Sequence, residues 1–361
     1  MIEQYTITTT PKYNFPQPTI DTTLPQRFLE QSLHSLKQVQ PHQPFQLNQQ
    51  TYQQFRTLEQ NPSNLQLKRT PIPLKPNHQE TIIAAVDTST IKIGETSTGI
   101  IIAIRGATTW KQNRNYRYTR LGPFIFHITE ENKNEVYNIL ERACFNTYYA
   151  SNRQAAPHLM QMPTRLASLL ERWHQTMLAK TVNQGIILFD GSLTSGTCDT
   201  PAQRMKEILS LTRRNSSTVL AFSKMTTLRV NGYLITDLLP NHEPPYLLET
   251  TGLRFKPPTV LLGDVYVAKL NKANYAFRLD IDKEIPLPER MNALEKLLGN
   301  DLYMQGYPET LRLAHILCTF TANEVLAMQH FITRKHGIQM INRPDMHKLL
   351  FGPFGRGEFY S

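Results

Sequence analysis

A chain of 361 residues that is 40% hydrophobic and 19% charged can bury a sizeable core, which excludes a disordered protein and leaves room for one large domain or two ordinary ones. Its 39 Lys and Arg against 29 Asp and Glu give a net charge of +10, which favours a polyanionic partner, nucleic acid being the commonest. No apolar run reaches the length that spans a bilayer, and the N-terminus lacks a basic-then-apolar signal pattern, so a cytoplasmic protein is expected.

The three cysteines, Cys144, Cys198 and Cys318, lie far apart without CxxC spacing. They predict neither a disulfide framework nor a zinc knuckle, and read as buried small hydrophobes. Residues 1–75 are rich in Gln, Pro and Thr. Phe28, Leu29, Leu33 and Leu36 at helical spacing predict a helix over roughly 24–39, and a second is expected over 49–58. The stretch PIPLKPNH, from Pro71 to His78, reads as a linker. The whole segment is expected to be a partly helical extension that packs either on the core or on a partner.

From Thr81 the pattern changes to strands. Runs over 81–87, 98–105 and 122–128 predict an antiparallel meander of three strands. Helices are expected over 132–149 and 163–180. Then comes GIILFDGSL, Gly185 to Leu193, whose continuous apolar run predicts a strand buried on both faces. A helix over 202–211, a strand over 218–222 and a β-rich stretch over 260–279 follow. Pro308 is expected to open one long helix reaching about Ile332, as its first residue. Residues 76–343 thus form the main domain and 344–361 a C-terminal tail. Three antiparallel strands, a helix, a strand, a helix and a strand is the element order of an RNase H-like α/β fold, a mixed sheet flanked by helices. In it the first and fourth strands are neighbours.

That order brings two carboxylates together. Asp190 ends the GIILFDGSL strand and Asp87 ends TIIAAVDTS, at the carboxyl ends where open α/β sheets keep their chemistry. Such a pair can share Mg²⁺ or Mn²⁺, which prefer oxygen ligands; a lone strand-end Asp is more often a turn former. Glu171, in TRLASLLERWH, borders the apolar face of its helix and is either a third metal ligand or the edge of a solvated face. Lys224, after the next strand, either holds a scissile phosphate or is an ordinary loop lysine. His315 shares a helix face with Leu311 and is a core residue, a metal ligand or a proton donor. The segment 105–120 interleaves Arg105, Lys111, Arg114, Arg117 and Arg120 with Trp110, Tyr116 and Tyr118. It is either a nucleic-acid grip, for which Arg105, Trp110, Lys111, Arg114, Tyr116, Arg117 and Arg120 are the candidates, or a solvated hairpin.

These motifs in this order, AAVDTS, the Glu171 helix, ILFDGSL, Ser223–Lys224 and GYPETLRLAH, resemble the NurA nuclease family over about 81–330. The resemblance implies metal-binding carboxylates at Asp87, Glu171 and Asp190, with Lys224, Tyr307 and His315 in support. It implies manganese-dependent cleavage of DNA, by single-strand endonuclease and 5′-to-3′ exonuclease action in DNA end processing. It also implies an RNase H-like core, a homodimer and docking on a hexameric HerA-type ATPase. A glycine commonly follows the first Asp in that family, where this chain has Thr88. The mechanism expected is two-metal phosphodiester hydrolysis with Mn²⁺ or Mg²⁺, the ions about 3.5–4 Å apart. Two other readings stand beside it. One is a non-catalytic NurA-like DNA-binding or scaffold subunit. The other is an ATP-binding protein of the actin-like and sugar-kinase class, which needs glycine-rich phosphate turns that a chain with 16 glycines and a bare DGS turn does not supply.

Overall fold

The structure, a computed structural model, describes residues 23–37, 65–145, 157–197 and 200–341. The helix expected over 49–58, the C-terminal tail and Cys198 lie outside the described residues. The chain forms α1 (Thr23–Lys37), the short strands β1 (Gln66–Leu67) and β2 (Ile72–Pro73), and three long strands, β3 (Ile83–Glu95), β4 (Gly99–Gln112) and β5 (Asn115–Thr129). Next come α2 (Lys133–Phe145), α3 (Met162–Thr181), β6 (Ile186–Asp190), β7 (Thr194–Ser195), α4 (Ala202–Arg214) and β8 (Thr218–Ser223). A second β-rich region holds β9 (Arg229–Val230), β10 (Tyr233–Leu234), β11 (Tyr246–Thr251), β12 (Val260–Leu261), β13 (Gly263–Lys269) and β14 (Phe277–Asp282). The chain then runs through α5 (Leu287–Asn300), β15 (Tyr303–Met304), β16 (Tyr307–Pro308), α6 (Glu309–Cys318) and α7 (Ala322–His336).

One mixed sheet organises these elements, in the order β1-β11-β13-β14-β8-β6-β3-β4-β5, with β2 also paired to β11. The meander β3-β4-β5 is antiparallel, β6 runs parallel to β3, and β8 runs parallel to β6. This is the RNase H-like arrangement expected from the element order, extended past β8 by an antiparallel block, β14-β13-β11. β6 is central because all of its apolar residues need burial. Ile186 and Leu188 join Leu297, Leu311 and Ala314 of α5 and α6 on one face, while Ile187 and Phe189 join Leu178 and Ile208 of α3 and α4 on the other. Alternation along the strand thus assigns each side chain to a helical layer. Among the described residues no helix is long and apolar enough to cross a membrane.

Two expectations need correction, and between them one open alternative is decided. The stretch from Pro71 to His78 is no linker: Ile72 and Pro73 pair with β11, and Leu74 is buried in the core shared with α5 and α6. The N-terminal helix α1 packs on this chain itself, with Leu24 and Phe28 buried against Phe124 and Phe126 of β5. The long C-terminal helix is two helices. Pro308 pairs in β16 and caps α6, and the chain breaks after Cys318 because Thr321 starts α7 with a capping box to Glu324.

Candidate active site

The register of the two central parallel strands builds the site. β3 and β6 pair from Ile83↔Ile186 to Val86↔Phe189, so Asp87 and Asp190 stand next in line on neighbouring strands. β6 ends there, while β3 carries on to Glu95. Two residues earlier on each strand, Ala85 and Leu188 face the α6 core, and alternation puts both carboxylates on that same side. After Asp190 the backbone turns sharply at Gly191, at φ +103°, where a side chain would be strained. The turn is tied down by Gly191 N–H donating to Phe222 O (2.8 Å) and Ser223 Oγ donating to Gly191 O (2.9 Å). Two residues on, Leu193 N–H donates to Asp280 (2.9 Å), a buried carboxylate that Arg278 holds with two bonds of 2.7 Å.

α6 covers this end of the sheet with Leu311 and Ala314 inward. One turn past Leu311, His315 Nδ1 lies 2.6 Å from Asp87 Oδ2. The helix start is anchored by Asp301, which accepts from Thr310 N–H and Thr310 Oγ1 and from the Tyr116 hydroxyl. Just before α6, Tyr307 packs edge-on against Phe222 and Phe277 and sets its hydroxyl 3.4 Å from Asp190 Oδ1. Burial raises its pKa, and the charges of Asp190 and Asp87 raise it further, so Tyr307 stays a neutral donor. Lys224, which follows β8, puts Nζ 2.7 Å from Asp190 Oδ2 and 5.9 Å from the centre of the Tyr307 ring.

Glu171 comes from the opposite helical layer. α3 crosses β3 where Thr88 Oγ1 donates to the Ala167 carbonyl (3.4 Å), and Glu171 lies one turn further along the helix. Its carboxylate accepts from Gln175 Nε2 (2.9 Å) and Arg172 (3.3 Å). Burial raises the Glu171 pKa; Arg172 opposes this, while the negative charges of Asp87 and Asp190 add to it. All three carboxylates therefore sit within one another's field, a crowding of negative charge that a hard divalent cation offsets. The chemistry of the three carboxylates suits such an ion, while among the described residues the ligand atoms that lie within 4.8 Å of one another are those of Asp87, His315 and Cys318. All six sequence candidates for the site, Asp87, Glu171, Asp190, Lys224, Tyr307 and His315, gather at this one end of the sheet.

One neighbour was not foreseen. Cys318, treated as a small hydrophobe, is indeed buried, but its sulfur lies within 4.8 Å of ligand atoms of both Asp87 and His315. The His-x-x-Cys spacing on one helix is the sequence signal that could have found it.

The basic segment is corrected. Arg105 is 2% exposed, donates to Glu324 (2.7 Å) and Thr319 O (3.2 Å), and lies over the Phe320 ring. Lys111 is buried against the Tyr116 ring, Tyr116 is bound to Asp301, and Trp110 packs in the core under α3. These four are framework, since alternate side chains of β4 and β5 point into the two helical layers. Arg114 is exposed at the hairpin tip and Arg117 and Arg120 are half-buried. Lys111 pairs with Ile83 at the start of β3, so the tip lies at the end of the sheet away from Asp87, about 20 Å off at 3.3 Å per residue. Only Arg120, paired through Ala107 to Asp87, is level with the carboxylates, and it faces Glu324 at 3.5 Å.

No family model and no curated protein matches the chain. Solved structures do. The fold is similar to that of the NurA nuclease from Sulfolobus solfataricus, at a TM-score of 0.47 and 13% identity over 73% of this chain and 88% of that one. It is similar at lower TM-scores to Endonuclease V from Bacillus subtilis (0.32, 12% identity, 73% and 87% of the two chains) and to the C-terminal lobe of a budding yeast Argonaute (0.27, 10%, 71% and 48%).

Proposed function

We propose that this protein is a divalent-metal-dependent DNA nuclease. The observation that carries the reading is the convergence of Asp87, Asp190 and Glu171 at the end of one strand pair, with a lysine, a tyrosine and a histidine bonded to two of them. Asp87, Glu171 and Asp190 would hold Mn²⁺ or Mg²⁺, two ions per site, with His315 as a further ligand or as the group that moves a proton. When bound, the metal supplies an activated water and charge stabilisation at the leaving oxygen. The protein groups do the rest. Lys224, 2.7 Å from Asp190, swings its charge onto the scissile phosphate and orients it. Tyr307 keeps Asp190 in place through its hydroxyl and excludes water with its ring. His315, half exposed beside Asp87, takes or returns a proton at Nδ1 or Nε2.

Net charge of +10 supports a nucleic-acid substrate. The motif resemblance described above supports DNA as that substrate, single-strand endonuclease and 5′-to-3′ exonuclease action, a homodimer and a HerA-type hexameric ATPase as partner in end processing. The test is cleavage of end-labelled single- and double-stranded DNA with Mn²⁺, Mg²⁺ or EDTA, beside Asp190→Asn. The expected result is cleavage that needs the ion and falls at least about a thousandfold in the variant. Full activity in Asp190→Asn rules the assignment out. Intact DNA binding with no cleavage by either protein supports the non-catalytic subunit instead.

A further inference from the structure

Cys318 ends α6, where its sulfur meets the carbonyl of His315 one turn back at 3.2 Å. A buried thiol ordinarily packs as a small hydrophobe. This one faces polar groups instead: its sulfur, a carboxylate oxygen of Asp87 and a ring nitrogen of His315 lie within 4.8 Å of one another. His315 and Cys318, three apart on one helix, share the face that covers the Asp87 end of β3. The His315 side chain is 50% exposed, which gives an ion a way in from solvent. Lys224, the cation that faces the neighbouring carboxylate, is held by Asp190 rather than Asp87.

The three carboxylates are a hard oxygen set. A carboxylate, an imidazole and a thiolate are a different set, the donors of zinc, with a fourth tetrahedral position open. We infer that Asp87, His315 and Cys318 form a second, softer cation site that takes Zn²⁺, and that zinc bound there blocks cleavage by withdrawing Asp87 and His315 from the hard site. The ion takes the place of the hydrogen bond between Asp87 and His315, and the thiol proton leaves as it binds. The inhibitory half rests on the nuclease reading; the binding half does not.

Cobalt(II) reports such a site, because thiolate ligation gives a near-ultraviolet charge-transfer band that oxygen and nitrogen ligands lack. Titrating the full chain with Co²⁺ is expected to produce the band, and equimolar Zn²⁺ to abolish it. Cys318→Ser and Cys318→Ala are expected to lack it, while Cys144→Ser and Cys198→Ser keep it. No band in the unaltered protein, or a band that survives loss of Cys318, overturns the site. Because a buried Cys318 replacement can disturb folding, His315→Gln at the half-exposed position is the second variant. Its Co²⁺ affinity is expected to fall by at least roughly tenfold, and unchanged affinity overturns the site as well. In Mn²⁺-supported cleavage, the ratio of rates with and without Zn²⁺ is expected to fall well below one in the unaltered protein and to stay near one in Cys318→Ser. Equal sensitivity of the two overturns the inhibitory half. A protein that shows the band and cuts no DNA overturns the nuclease reading while supporting the site.

Discussion

The guanidinium of Arg105 occupies the kind of place a sequence cannot reveal. It is surrounded by Glu324, the Thr319 carbonyl and the Phe320 ring, and it holds the Glu324 pKa down at about 2. Arg105→Met is therefore expected to lower stability by about 3 kcal/mol, measured by urea unfolding, without changing the salt dependence of DNA binding. A direct phosphate contact by Arg105 would give the opposite pair of results. His174 is the second buried polar group to watch. Its Nδ1 lies 3.0 Å from Thr108 Oγ1, Nε2 has no partner among the described residues, and burial lowers its pKa to about 3. It stays neutral in the fold but takes a proton in the unfolded chain below its ordinary pKa of 6.5. Stability is thus full above that pH and falls as pH drops from there toward 3. At pH 5 the loss from His174 is about 2 kcal/mol, read from unfolding at pH 7 and 5. His174→Gln should flatten the dependence; an unchanged drop in that variant would point to His127, whose pKa burial also lowers, to about 4.

Between elements, the contact that sets the depth of the site is α3 against β4. Gly106 faces α3, and a Cβ there would run into the His174 ring and Leu170. Gly106→Ala must displace the buried His174 ring and Leu170 or the helix that carries them, and Glu171 is on that helix. The expected cost is about 1–3 kcal/mol by thermal or denaturant unfolding, with a larger loss in metal-dependent cleavage than in DNA binding. The glycine looked unremarkable within the run RGATTW, because nothing local announces which helix will lie over it. The break between α6 and α7 was announced. Thr321 and Glu324 carry the capping-box spacing, yet the apolar residues on both sides of it suggested one helix. Strand lengths were underestimated for a related reason. β3 runs on through TSTIKIGE, where the polar run Thr88–Thr90 hides the alternating Ile91 and Ile93 from the apolar run before it, and the neighbouring strand pairs them all.

Across the whole molecule, the sheet holds the basic hairpin tip apart from the carboxylates. Arg114 lies at the hairpin tip, and Asp87, the fifth residue of β3, is about 20 Å away. Arg114→Ala is expected to leave cleavage of a short oligonucleotide unchanged. On a single strand long enough to reach the tip, it should reduce the slope of log affinity against log salt by about 0.7, as loss of one phosphate contact does. An unchanged slope places the tip off the DNA path. The sequence by itself determined the strands that carry Asp87 and Asp190 and their meeting: an apolar run stopped by Asp-Gly ends the Asp190 strand there, and the element order makes the two strands neighbours. It also marked Lys224, Tyr307 and His315 as candidates, which fall on the pair. Tertiary structure alone decided that Glu171 reaches the site from the other face, that Arg105 is framework, and that Cys318 looks onto Asp87. Those facts depend on which layer packs over which strand, a property of side-chain contacts far apart in the chain that local spacing does not encode.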